Sequence, residues 1–275
     1  MRRRIIYSLL LLSLLPFLGG WMKYGYLSYP LKGNISPKEG SIEMWVKPEI
    51  DPQKPLKRWY SFYFFVVYPS PGQRAPTFFA FWKPGEGPRM GGTYMREGKQ
   101  IHLRNTPATW PDRISWEKDT WHYFAFTWKG KEMALYADGK LIRKTLASHE
   151  LEIDPGGFIR IGGSHISPFV VDEISISSRA RTEEEIRERM KGELKVDEYT
   201  LVLDHCEELI PVAGSPSKKE TRAEMISGFQ KEKGGVGNFI FIPQGYKGRV
   251  PEDEVVELTQ GKFGKGIRLK VVEGK

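Results

Sequence analysis

An all-β antiparallel sandwich with one short helix is the fold class that the sequence predicts. Three observations predict it. Runs rich in aromatic and β-branched residues recur along the chain, among them 59–68 (WYSFYFFVVY) and 121–128 (WHYFAFTW). Gly- and Pro-containing breaks such as Lys83-Pro84-Gly85 separate them. No long amphipathic helix pattern occurs, and many short strands between turn signals mean a sandwich rather than a helical or α/β fold.

The elements follow in order. Residues 24–29 alternate as a short strand, 30–40 form a loop, and 41–46 form a strand stopped at Pro48. A proline-bearing loop over 49–57 leads to the buried strand 59–68, a turn region over 69–76 and a returning strand over 77–82. Segments 91–95 and 100–104 read as shorter, more exposed strands, followed by a loop over 105–118. Residues 121–143 read as a β-meander. Its first strand is apolar on both faces, and Lys129-Gly130-Lys131 supplies a turn. Met133, Leu135 and Ala137 then alternate with Glu132, Ala134 and Tyr136, and Asp138-Gly139 is a strong hairpin signal before Leu141-Ile142. Strands over 158–161 and 169–177 come next. The one helix is expected over 181–191, with Thr182 and Glu185 as a capping box, basic residues in its last turn and Gly192 closing it. Beyond it, 199–204, 239–242 and 255–258 read as strands, 211–219 as a polar turn and 231–237 as loose and Gly-rich.

The 275 residues can hold one large sandwich or two small domains. Lys and Arg number 42 against 34 Asp and Glu, for a net charge of +8, but Arg2, Arg3 and Arg4 supply three of the positives. The rest is finely mixed in sign with no basic stripe, which argues against a nucleic-acid partner. Cys206 is the single cysteine, so no intrachain disulfide forms. Arg2–Arg4 followed by the apolar run 5–18 reads as a signal peptide or an N-terminal membrane anchor over 1–22. In both cases the domain is expected to be secreted or held outside the cytoplasm, touching the membrane only through that segment.

Several motifs carry a family resemblance. The W-H pair at Trp121-His122, the run ending Thr127-Trp128, and Leu135-Tyr136-Ala137-Asp138-Gly139-Lys140 resemble the laminin-G-like domains of the concanavalin A-like jelly-roll superfamily. Three further pieces match in the family's order: GSIEMWVKP at 40–48, IRIGG at 159–163 and VDEISI at 171–176, the last running into a helix over 178–186. The resemblance implies a jelly roll over 23–192. It also implies a permutation. TLVLDHCEE at 200–208 and GKFGKGIRL at 261–269 resemble segments that stand at the front of such domains, yet here they come last. Two explanations stand. Either 193–275 folds back to complete a circularly permuted sandwich, with 199–204 and 267–272 as the missing strands, or it begins a second, unfinished repeat.

Candidate chemistry is sparse. Glu152-Ile153-Asp154 resembles the start of the E-x-D-x-E strand of related glucanases, but Pro155, Gly156 and Gly157 follow where the second carboxylate should stand. Asp172-Glu173 lies at the family's D-E position. Alternation turns one of the two inward, and hydrogen bonding to backbone at the strand ends is the expected role. Calcium is a candidate ion, but Asp138, Asp154, Asp172 and Asp204 lack the spacing of a binding loop. No other cofactor motif occurs. The five histidines show no ligand spacing, and there is no P-loop and no G-x-S-x-G. Trp59, Trp82, Tyr94, Trp110 and Trp116 fall at strand ends and in loops, where jelly-roll lectins place sugar-stacking rings, although Trp also fills sandwich cores. The expected function is a non-catalytic surface module binding a glycan or an extracellular protein. The alternatives are a glycoside hydrolase of the same fold, or a structural spacer or adhesion subunit.

Overall fold

The computed structural model describes residues 22–31, 33–54, 62–68, 78–83, 87–96, 99–103, 115–147, 150, 157–162, 168–212, 215–220, 223–225 and 256–273. The expectations for the N-terminal apolar run, Trp59, Trp110, Glu152, Asp154 and the strand at 239–242 lie outside these residues.

Two antiparallel sheets pack face to face. The smaller takes β2 (Tyr26–Pro30), β11 (Phe158–Gly162), β4 (Phe62–Tyr68), β5 (Phe78–Lys83), β6 (Gly87–Arg96) and β7 (Lys99–Leu103) in the spatial order β2-β11-β4-β5-β6-β7. The larger runs β10 (Lys140–Leu146), β9 (Glu132–Ala137), β8 (His122–Lys129), β3 (Glu39–Pro48), β12 (Phe169–Ser177), β13 (Thr200–Asp204) and β16 (Ala223–Met225). Attached to β12 is β18 (Lys265–Leu269), which in turn pairs with β17 (Val256–Gln260). Between the sheets lies a continuous core that includes Met44, Phe65, Phe126, Ile161, Ile176 and Ile267, each essentially without solvent contact. The architecture is an all-β jelly-roll sandwich.

The meander β8-β9-β10 forms because its turns are encoded. Gly130 (φ 55°), Asp138 (φ 49°) and Gly139 (φ 73°) all take the left-handed conformation that tight hairpins require. Asp138 also accepts the backbone N–H of Tyr123 through Oδ1 at 2.8 Å, which ties the second turn back to the start of β8. Every residue of β8 but Lys129 is buried. Its inner side chains enter the core, and Tyr123 and Ala125 meet an outer cluster with Trp45, Tyr136, Leu203 and Ile186.

Ile186 belongs to α1 (Glu183–Arg189), which covers that outer face. Thr182 caps it with both halves of a capping box in place. A buried polar network fixes its position. Arg189 Nε donates to Glu43 at 2.9 Å, Tyr123 Oη donates to the other Glu43 oxygen at 2.8 Å, and Arg189 Nη2 donates to Ser175 at 3.2 Å. The expectation that Gly192 ends the helix is corrected. Met190 is the C-cap, in right-handed geometry, and Gly192 has no left-handed φ, so no Schellman-type turn calls for glycine there.

The tail shares the larger sheet. One edge of β12 pairs along most of its length with β3; the other is taken end to end by β13, opposite 174–177, and β18, opposite 169–171. Val202 enters the inter-sheet core, Leu203 enters the outer cluster, and Leu201 stays half-buried. A contact across the sandwich adds to this: Tyr29 Oη of β2 donates to Asp204 Oδ2 at 2.8 Å. The last strand, β19 (Val271–Glu273), pairs with the first, β1 (Met22–Tyr24). One reading is overturned. The polar turn expected over 211–219 is a hairpin of β14 (Ile210–Val212) and β15 (Ser215–Glu220). Its Pro, Ser and Lys residues carry no strand propensity, so pairing rather than composition makes it a strand.

Candidate functional site

Alternation on the smaller sheet decides which side chains meet solvent. Leu27 and Tyr29 of β2, Ile159 and Ile161 of β11, Phe65 and Val67 of β4, and Ala80 and Trp82 of β5 all face the core. Their neighbours therefore face outward: Tyr26, Phe158, Arg160, Val66, Tyr68 and Phe79. Register brings them together. Arg160 lies directly opposite Ser28 and Val66, Phe158 opposite Tyr68, and Val66 opposite Phe79. Diagonal neighbours on one face are within reach of long side chains.

The guanidinium of Arg160 sits over two rings, 5.1 Å from the centroid of Tyr26 and 4.9 Å from that of Tyr68. Its Nη2 donates to Tyr68 Oη at 2.7 Å. Phe158 stacks on Tyr68 with centroids 4.9 Å apart and planes at 26°. Tyr63 and Phe79 continue the aromatic row, centroids 6.1 Å apart. Phe158, Arg160, Tyr63, Tyr68 and Phe79 are each half-buried, whereas Tyr26 and Val66, on the same face, are buried at 3% and 1% exposure. The result is a strip of rings with a planar cation set into it. Such a surface sets apolar ring contacts beside guanidinium N–H donors.

Two of the aromatics expected to stack on sugars are core residues instead. Trp82 and Trp116 are each 2% exposed. Trp116 stacks between Trp82, at 4.8 Å, and His122, at 4.7 Å. Their indole N–H groups are spent on Pro52 O and Asp138 Oδ2. A void of about 10 Å³ remains beside them, lined by apolar side chains such as Val46, Phe64 and Phe169; that is barely room for one water. Neither ring has a face to offer a ligand. Tyr94 lies on β6 opposite Ile101, with only its backbone among the described residues. His122 is occupied as well: Nδ1 bonds Asp138 Oδ2 at 3.0 Å, and Nε2 accepts the N–H of Glu117 at 3.1 Å, which leaves no free lone pair for base catalysis.

Asp172 and Glu173 do not divide between the two faces as strict alternation requires. Glu173 is the extra residue of a β-bulge, with φ 53° and a register shift between Asp172 and Ser175, so both carboxylates reach the outer side. Asp172 Oδ2 accepts the N–H groups of Lys262 (2.7 Å) and Phe263 (2.9 Å), and Oδ1 that of Glu173. Glu173 accepts from the N–H of Leu194 at 2.6 Å and pairs with His205 Nδ1 at 2.7 Å. Burial, with a smaller push from the Glu173 charge, raises the Asp172 carboxyl to about 7 against the pull of its N–H donors. Burial likewise raises Glu173, and raises the thiol of Cys206 well above its usual range. These groups dock the tail. Among the described residues no three His, Cys, Asp or Glu side chains group so as to hold a metal ion.

The family model described as the concanavalin A-like lectin/glucanases superfamily matches residues 20–187. The chain belongs to this superfamily. This concanavalin A-like domain is similar to a Bacteroides ovatus protein whose proposed role is carbohydrate binding, at 12% identity and a TM-score of 0.49, over 74% of this chain and 54% of that one. It is also similar to a heptameric SAP-like pentraxin from Limulus polyphemus (15% identity, TM-score 0.42, 66% of this chain and 87% of that one). A third likeness is to domain 4 of AbnA, a GH43 extracellular arabinanase from Geobacillus stearothermophilus, solved with arabinotriose (15% identity, TM-score 0.42, 62% and 81%). The chain spans about half of the first of these. A comparison with curated proteins gives no match. Among the described residues no helix is long and apolar enough to cross a membrane.

The sequence reading missed the outer strip. Ile159-Arg160-Ile161 places a lone cation between two core residues on a strand, and Phe158 and Tyr68 fall on the same parity. That parity was readable from the chain, but the pairing of β11 between β2 and β4 was not.

Proposed function

We propose that this chain is a non-catalytic binding module that works outside the cytoplasm and takes a glycan along the outer face of the smaller sheet. The observation that carries the reading is the Tyr26–Arg160–Tyr68–Phe158 stack, a row of rings around one planar donor on the outer face of the smaller sheet. A passive spacer would be expected to present aliphatic or mixed polar residues there. Binding is favoured over hydrolysis because the buried carboxylates Glu43, Asp172, Glu173 and Asp204 are all engaged in holding the fold. The export reading of the N-terminal segment places such a module where glycans are met.

A glycan array probed with the chain from Lys23 onward tests this. Binding should appear, and Phe158→Ala should weaken it about tenfold, the scale of one lost ring contact. Absence of binding to any glycan, or turnover of a bound one, would contradict the proposal.

A further inference from the structure

Arg160 differs from five other arginines of the fold in the company it keeps. Arg179 pairs with Glu185, Arg181 with Asp197, Arg187 with Glu183, Arg189 with Glu43, and Arg268 with both Glu49 and Glu257. Arg160 is half-buried like several of these, yet no carboxylate pairs with it among the described residues. Among the described residues its guanidinium donates to the neutral hydroxyl of Tyr68, and its Nε is buried without an acceptor. A partly desolvated guanidinium that no described carboxylate offsets is costly to keep. Two ring faces compensate for part of that cost and hold the group still, but they supply no acceptor.

We infer that Arg160 docks a carboxylate of the ligand, so that the glycan bound on this face is an acidic one, containing uronic or related carboxylated sugars. The inference rests on the glycan-binding reading and narrows it. Nε is out of reach of a ligand arriving from solvent, so the contact is end-on through Nη1 and the second N–H of Nη2. Those two donors form a planar fork that matches the two oxygens of a carboxylate. Tyr68 accepts one Nη2 hydrogen, which fixes the plane of the guanidinium in advance. Phe158, stacked on Tyr68 and half-buried, then lies beside the charged group as an apolar neighbour for the sugar that carries the carboxylate. Little rotamer freedom is left to lose on binding.

The test compares oligogalacturonate with the same oligomer methyl-esterified, together with sulfated and neutral glycans, on the chain from Lys23 onward. The acid form should bind, the ester should bind about ten- to a hundredfold more weakly, and affinity for the acid should fall as salt is raised. Arg160→Gln should bring acid and ester to the same weak affinity. Arg160→Lys should recover only part of the difference, because it restores charge without the fork. Should the variants fail to fold, the acid-against-ester comparison on the unaltered chain still decides. Equal affinity for acid and ester, or hits confined to sulfated glycans, would overturn the inference. Neutral glycans binding with a Phe158 dependence but no Arg160 dependence would overturn it while leaving the glycan face standing. Silence across the whole panel would end both.

Discussion

Asp172 shows how one side chain ties distant parts of the chain together. It lies on β12 at the point where β13 and β18 meet, and it gathers three backbone N–H groups, two of them from the tail turn at Lys262 and Phe263. Lys262 then lies over the ring of Trp45 at 4.6 Å. Burial holds the Asp172 carboxyl at about 7, well above the value of about 3.9 expected in the unfolded chain. The sign follows from linkage. Between those values the folded protein keeps a proton that the unfolded chain releases, so Asp172's contribution to stability is greatest below about pH 4 and declines as pH rises through 7. Asp197 acts in the opposite sense: burial alone would raise it, but Arg181 and Thr200 bring it down to about 2, so its contribution is lost only in strong acid. Thermal melts of the wild type and Asp172→Asn from pH 4 to 8 should differ in slope over this window, with the variant flatter. Identical slopes would show that Asp172 is not the titrating group. The partners and the bulge behind this were not legible beforehand. A one-residue bulge at Glu173 leaves no mark in a run that alternates cleanly on either side of it, whereas the structural role of the Asp-Glu pair was readable from its place in a final strand.

At the scale of single elements, the turns and the helix cap were the most legible features, because each depends on a few residues with strong local chemistry. Asp138-Gly139 and the Thr182–Glu185 box fold as their sequences suggest. Gly192 did not, since its role was inferred from position alone. The two glycines allow a direct comparison. A Cβ on Gly139 would meet Met190 Sδ at 2.7 Å and Arg187 Cγ at 2.9 Å, on a left-handed backbone, whereas a Cβ on Gly192 would meet nothing within 4 Å. Gly139→Ala should therefore cost upwards of about 1 kcal/mol and loosen the contact between α1 and the β9–β10 turn, while Gly192→Ala should be within about 0.5 kcal/mol of neutral. Urea denaturation of the two variants measures both. Comparable losses would mean that the helix does not press on the turn as described. The five aromatic candidates were less legible than the turns. Trp82 and Trp116 occupy loop and strand-end positions in the sequence, and only the packing of the two sheets shows that those positions are interior.

For the whole molecule, the sandwich and its family were readable from short motifs over 40–187, and the order of the motifs pointed to a tail that belongs with the front. What the motifs could not give was the manner of joining: β12 offers one edge to two tail strands laid end to end, and Tyr29 reaches Asp204 across the core. Val202, Leu203, Val256, Ile267 and Leu269 are all at or below 2% exposure. At about 1.5–3 kcal/mol for each such side chain, their removal amounts to about 8–15 kcal/mol, the whole net stability of an ordinary domain. The central claim is thus that residues 193–275 complete the sheet on which the rest of the fold depends. The most direct measurement is the thermal melt of residues 21–192 expressed alone, with and without 193–275 added as a separate piece. The shortened chain should aggregate or melt without cooperativity, and the added piece should restore the transition; a monomeric 21–192 melting as cooperatively and as high as the full chain would contradict the claim.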